Sequence, residues 1–407
     1  MSHENVEKMD IANKVRSFLS NNAMLGILLG TMILFEVLIQ NDSGGRVSLF
    51  SPANLNNLIG QNGYVVILAV GMLMCILTGG NIDLSVGGTV ILVGAVAGMF
   101  IVEWNMNIYL AIVMCLIFAT MIGAWQAFWI AYIGIPPFIV TLAGMLTFRG
   151  AALIIMGSQN IGPFPESYRA LFNNFIPSSW MAETNTDIVY MTALIIGIVI
   201  CFAIVAIEAI SRINKKRRGY KVEHIAVAIL RPLIVSAAVL FVITRLGQHN
   251  GIPVILILLG FIVVCYTYFT QNTIHGRYLY AMGGNAKAAQ LSGINTKKMM
   301  FFAYTNMGFL AGVAALTVTA RFNQASTQAG TGYELDAIAA CFIGGASAYG
   351  GIGKVGGVVI GAIFMGVLNM GMSLLGYDAN TQRFIKGLVL LAAVVFDVLS
   401  KRRTRLA

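Results

Sequence analysis

Apolar stretches long enough to cross a membrane recur along the whole chain, and the charge sits in the gaps between them. Met24–Leu38 and Ile255–Phe269 are almost free of charge, and Ile188–Ile207 carries none. A helix of roughly 20 apolar residues covers the hydrocarbon core of a bilayer. Mean hydropathy is +0.81, with 58% hydrophobic and only 10% charged residues. A soluble helical protein of this length needs far more surface charge. The chain is therefore expected to live in a lipid bilayer, where every polar residue inside a span needs a reason.

The net charge of +10 invites a nucleic-acid reading, but its distribution excludes one. The basic residues collect in Lys8–Arg16, Arg212–Lys221, Arg277–Lys298 and Lys401–Arg405, all between or beyond apolar runs. That is the positive-inside pattern, which sets orientation in the membrane. Cys75, Cys115, Cys201, Cys265 and Cys341 all lie within apolar runs and share no metal-ligand spacing, so they read as small packing residues. His3, His224, His249 and His275 are scattered over loops and the N-terminus, which supports no metal site and no catalytic residue.

Hydropathy predicts spans at 23–40, 54–78, 86–102, 108–130, 138–156, 188–210, 225–245, 252–270, 299–319, 337–347, 355–375 and 383–400. The expected fold is an all-α, polytopic membrane helix bundle of about 12 crossings with at least one broken or re-entrant helix. Both termini are expected in the cytoplasm, because that parity puts every strong basic cluster on one face. The stretch 54–78 is long for one crossing and 337–347 is short. Ten crossings with two re-entrant or surface helices is the rival count. Residues 157–187 read as an outer loop and 271–298 as the longest inner one. The whole chain, 1–407, reads as one membrane domain with a core of 54–156 and 252–400 and an added helix pair, 188–245. The Gly-rich stretches at Gly79-Gly80-Asn81 and Gly344-Gly345-Ala346 hint at an internal repeat, as transporters often have.

Two segments are candidates for function. In the inner loop, Gly283-Gly284-Asn285 precedes Ala286, Lys287, Ala288, Ala289 and Gln290, and Ser292-Gly293 ends the run. Small helix formers between flexible joints predict a short helix held out as a knob. A plain helical connector is the alternative. The second segment is Gly79–Gly88, where Asp83 accepts backbone N–H bonds near Ser85 at a helix start, lines a path through the membrane, or does both. The chain has no phosphate-binding loop of the ATPase type: Gly350-Gly351-Ile352-Gly353-Lys354 is followed by Val355.

Asn81-Ile82-Asp83-Leu84-Ser85-Val86-Gly87, Thr141–Gly150, the 276–294 segment and Gly344-Gly345-Ala346-Ser347 resemble the sugar-type permease subunits of bacterial ABC importers, the relatives of ribose, galactose and xylose permeases. The resemblance implies an inner-membrane, multi-pass subunit that pairs with a second copy of itself. It receives solute from an extracytoplasmic sugar-binding protein and is driven by a cytoplasmic ATP-binding subunit, which holds the ATP and Mg. This chain would then bind no cofactor, no metal and no nucleic acid, and would not itself be an enzyme. The same resemblance makes 271–298 the coupling loop, with Gly283, Gly284, Asn285, Ala286, Lys287, Ala288, Ala289, Ser292 and Gly293 as its docking residues. Ala286, Ala288 and Ala289 are expected to face the ATPase, and Gly284→Val to uncouple transport. Shorter members lack an insertion like 188–245, which places this chain nearer the xylose and multiple-monosaccharide branch.

Polar residues near the expected path are few: Asn57, Gln61, Asn62, Asn81, Asp83, Ser85, Thr141, Asn306 and Asn369. They offer amides, hydroxyls and one carboxylate, which fits an uncharged solute better than an organic anion. Arg149 lies late in a span and is expected to reach outward. The expected cargo is a monosaccharide, xylose or a related pentose or hexose. The alternatives are a nucleoside-type ABC permease and an ion-coupled secondary sugar transporter.

Overall fold

The computed structural model describes residues 23–176, 186–217, 219 and 225–406. The N-terminal lead, residues 177–185 of the outer loop, and Arg218, Tyr220 and Lys221 of the basic loop lie outside the described residues. The helices are, in order, α1 (Ala23–Ser43), α2 (Pro52–Leu77), α3 (Val86–Gly98), α4 (Ile108–Phe128) and α5 (Pro137–Ile155). There follow α6 (Glu166–Asn173), α7 (Thr186–Arg217), α8 (Ile225–Gly247), α9 (Ile255–Asn272) and α10 (Ile274–Gly284). The last five are α11 (Ala286–Leu291), α12 (Thr296–Phe322), α13 (Tyr333–Ile343), α14 (Val355–Leu374) and α15 (Ala379–Leu406). α3 and α4 each run on into a π turn, at Met99–Glu103 and Trp129–Ile133.

Small polar residues set the helix starts. The Ser51 hydroxyl accepts from the Asn54 N–H ahead of α2, and the Asn107 side chain accepts from Tyr109 and Leu110 ahead of α4. Asp378 does the same ahead of α15. The Thr381 hydroxyl and the Asn380 N–H hold its carboxylate below the usual range.

Among the described residues, nine helices are long and apolar enough to cross a membrane. Of the other three expected spans, 337–347 falls short, while 225–245 and 383–400 run over residues whose side chains lie outside the described ones. Among its described side chains, α8 carries an apolar stretch at Pro232–Gly247. α13 has 11 residues, and α15 carries an uncharged apolar run at Gly387–Phe396. The long stretch near 54–78 is one continuous helix. α13 is the short element, and it begins and ends four residues earlier than expected. Gly332, at φ +79°, precedes it, and Gly345, at φ +86°, follows its last turn.

The bundle has an inside and a rim. α2 packs against α12, α13 and α14, while α12 also lies along α4 and α3. The most apolar windows of α2 and α3 are 78% buried, against 17% in α1 and 11% in α7. Rim residues such as Leu29, Ile33, Ile154 and Phe202 stay exposed, as a surface facing hydrocarbon requires. α4 and α12 touch backbone to backbone at Gly123 and Gly308. A Cβ on Gly308 would lie 2.6 Å from the Ala119 carbonyl oxygen. Small residues allow such close approach where lipid supplies no hydrophobic drive. Cys75, Cys115 and Cys341 are buried in this packing, whereas Cys265 is exposed.

α7 and α8 pack chiefly on each other, with a separate small core of Ala193, Ile243 and Ile252. They join the rest through α2 and through a two-residue antiparallel pairing of β1 (Phe175–Ile176) with β2 (Ile252–Pro253). The outer loop is not loose where it is described. Ile161 bridges Ala325, and the fully buried Tyr168 of α6 donates to the Leu316 carbonyl at 3.0 Å. The loop therefore closes over one end of α12. The opposite end carries α10 and α11 and is called the arm end below.

Candidate functional site

The arm end is built from the 271–298 segment, which is mostly helix rather than loop. Thr273 starts α10 by accepting from the Gly276 N–H at 3.1 Å. Asn285 starts α11 by accepting from the Ala288 N–H at 3.0 Å, and Asn295 starts α12 through the Lys298 N–H at 2.9 Å. Ser292 donates to the Ala288 carbonyl, and Gly293, at φ +87°, reverses the chain. α11 is thus the short knob the sequence predicts. Its outer surface is Ala286, Lys287, Ala288 and Gln290, with Leu291 80% exposed. Ala289 differs from expectation: it is buried against its own chain. An alanine run carries no period to orient it, and the apolar tip at Leu291 was missed for the same reason.

The two Gly-rich breaks meet beside this arm. A Cβ on Gly80 would lie 2.0 Å from the Ala348 carbonyl oxygen, and one on Gly350 would lie 2.5 Å from Gly79 Cα. The Gly351 N–H donates to the Leu77 carbonyl at 3.2 Å. Gly283 closes the group, since a Cβ there would fall 2.0 Å from the Leu77 oxygen and 2.2 Å from the Gly351 nitrogen. Gly284 has nothing within 4 Å, so the steric demand falls one residue earlier than expected. The Tyr280 hydroxyl donates to the Gly353 carbonyl at 2.7 Å, and burial pushes that phenol up. Arm, α2 terminus and the 344–354 loop therefore form one junction.

Asp83 lies in the first break and is 4% exposed. Its carboxylate accepts from the Ser85 N–H at 2.8 Å and from the Ser85 hydroxyl at 2.6 Å. Ser85 in turn accepts from the Gln126 amide at 2.7 Å. The carboxylate thus shapes the turn just before α3 rather than bonding the helix's first-turn N–H groups. Asp83→Ala should cost about 1–3 kcal/mol, because it strands a buried N–H, whereas Asp83→Asn keeps the acceptor and costs less. Thermal unfolding of the two variants measures this. Lost transport at full stability in both would assign Asp83 to the path instead.

The other path candidates do not gather around one cavity. Asn81 donates to Thr78 at 3.0 Å. Asn62 donates to its own helix at Leu58, at 3.0 Å, and accepts from Asn369 at 3.4 Å. Asn306 accepts from Tyr266. Thr141, fully buried, donates to Pro137 one turn back. Asn57 accepts from Arg321 at 3.4 Å, and Gln61 borders a small crevice with Tyr64, Arg321 and Tyr333 at the end away from the arm. Arg149 reaches the Thr331 hydroxyl at 2.7 Å, at that same end.

Residues 54–394 match the family described as branched-chain amino acid transport system / permease component. The chain belongs to this permease family. It is similar to the xylose transport system permease protein of Escherichia coli (strain K12), 35% identical over 354 residues, which is 87% of each chain. The xylose transport system permease protein of Haemophilus influenzae is 33% identical over 353 residues, covering 87% of this chain and 91% of that one. The ribose import permease protein of Escherichia coli (strain K12) is 32% identical over 367 residues, 90% and 92%. No solved structure matches.

Sequence reasoning missed one cluster of this permease. Asp336, in the first turn of α13 and 1% exposed, pairs with Lys386 of α15 at 3.0 Å. The Tyr64 hydroxyl donates to the same carboxylate at 2.7 Å, and the Tyr64 ring stacks on Tyr333 with centroids 3.9 Å apart. Glu334 and Asp336 fall just before the span expected at 337–347. Their place at a helix N-terminus favours carboxylates.

Proposed function

We propose that this chain is the membrane-spanning permease subunit of a bacterial inner-membrane ABC importer for a monosaccharide, xylose or a related pentose or hexose. The observation that carries the reading is whole-length similarity to permeases whose names specify xylose and ribose. The exposed α11 knob, tied by Gly283 to both helix breaks, supports docking of a cytoplasmic ATP-binding subunit at the arm end. On this reading Gly283, Asn285, Ala286, Lys287, Ala288, Ser292 and Gly293 form or position the docking surface. The partner holds ATP and Mg, a second copy of the permease completes the pathway, and a sugar-binding protein delivers solute at the opposite face. The arm end then faces the cytoplasm, with both termini.

The test is uptake by vesicles holding the permease with its ATPase and binding protein. Sugar should enter only with ATP on the arm side and a sugar-loaded binding protein outside. Uptake driven by an ion gradient alone would overturn the reading. Stimulation of ATP hydrolysis by a branched-chain amino acid or a nucleoside, and by no sugar, would overturn the cargo.

A further inference from the structure

At the arm end a cavity of about 750 Å3 opens between the start of α1, the end of α9, α10 and the 344–357 segment. Arg277 and Lys354 stand at it, both exposed, and neither makes an ion pair among the described residues. None of its lining residues is acidic. Its remaining wall includes Met24, Leu25 and Ile360, with the Tyr280 phenol between the two cations' segments. Leu25 leads directly into an exposed apolar stripe on α1, Leu25, Leu29 and Ile33, spaced one helical turn apart.

We propose that this cavity binds one anionic phospholipid, its phosphate between Arg277 and Lys354 and an acyl chain laid along Leu25, Leu29 and Ile33. The cations supply the charge complementarity, and the volume lies within the range of small-ligand sites. The apolar stripe selects a lipid over a free phosphate, which has nothing to place there. A headgroup in this position touches α10 and the 344–354 loop, the two partners of the Gly283 junction. The site would let the charge of the cytoplasmic leaflet act on the arm. The leaflet assignment rests on the proposed topology, whereas lipid retention by the purified chain does not depend on the transported solute.

The experiment is native mass spectrometry of the permease in micelles doped equally with phosphatidylglycerol and phosphatidylcholine. One phosphatidylglycerol per chain should be retained, and no phosphatidylcholine. Arg277→Gln with Lys354→Gln should weaken retention roughly 30-fold, the worth of two surface cations. Ile360→Trp, which fills the cavity and keeps both charges, should weaken it as well. Lys297→Gln with Lys298→Gln removes two exposed cations of the same face outside the cavity and should change nothing. Equal loss in that control would reduce the site to diffuse surface charge and overturn the proposal. So would displacement of the lipid by millimolar inorganic phosphate alone. Unchanged lipid retention in the cavity variants with lost ATPase-subunit binding would also overturn it, assigning the cations to a protein contact.

Discussion

Gly283→Val should abolish coupled transport while Gly284→Val leaves it near the wild-type level. The two glycines are neighbours at the end of α10, but their surroundings are opposite. A side chain at Gly283 must enter backbone, 2.0 Å from the Leu77 oxygen, 2.2 Å from the Gly351 nitrogen and 2.7 Å from Gly351 Cα. No rotamer change relieves contacts to main-chain atoms, so α10 must lift from α2 and the 344–354 loop. Overpacking of this kind costs about 3 kcal/mol. That lowers the population of the docked arm roughly a hundredfold. At Gly284 the position is open and its φ is ordinary, so valine meets no obstacle. ATP-dependent uptake by reconstituted vesicles, with thermal unfolding of both variants, checks the pair. Normal uptake with Gly283→Val would remove the junction from the coupling route.

The contrast between those glycines marks where sequence reasoning stops. Hydropathy located most spans to within a few residues, because a stretch such as Ile255–Asn272 is fixed by its own apolar length. The α11 knob was legible as well: Asn285 as its first-turn acceptor and Ser292-Gly293 as its end are local signals. Which face of the knob turns outward was not legible, since Ala286, Ala288 and Ala289 are chemically alike and only tertiary packing buries Ala289. Gly283 and Gly284 are likewise identical letters until Leu77 and Gly351 are placed against one of them. The start of α13 was placed four residues late because the charges at Glu334 and Asp336 interrupt the apolar run. The burial of Asp336 depends on Tyr64, 272 positions earlier, and Lys386, 50 positions later. No local pattern carries that information.

The Asp336 cluster should also give a large stability effect, and an asymmetric one. Lys386→Met leaves a carboxylate that is 1% exposed with the Tyr64 hydroxyl as its one described side-chain donor. Stranding a buried charge costs about 3–5 kcal/mol. Asp336→Asn removes the charge instead and keeps an oxygen for Tyr64 to donate to. The Lys386 side chain, 17% exposed, can then extend its ammonium toward water. That variant should lose only about 1–2 kcal/mol. The double variant should recover most of the Lys386→Met loss, because a neutral pair in place of a buried ion pair is often nearly neutral in stability. The two side chains are in contact, so the cycle should show strong non-additivity. Denaturant unfolding in micelles of the two single variants and the double variant measures all three terms. Equal losses in the two single variants, summing in the double, would mean that α13 and α15 are held by packing rather than by this pair. If the pair does hold them, the short helix α13 is anchored at one end by charge, while its other end leads into the loop that Gly283 touches.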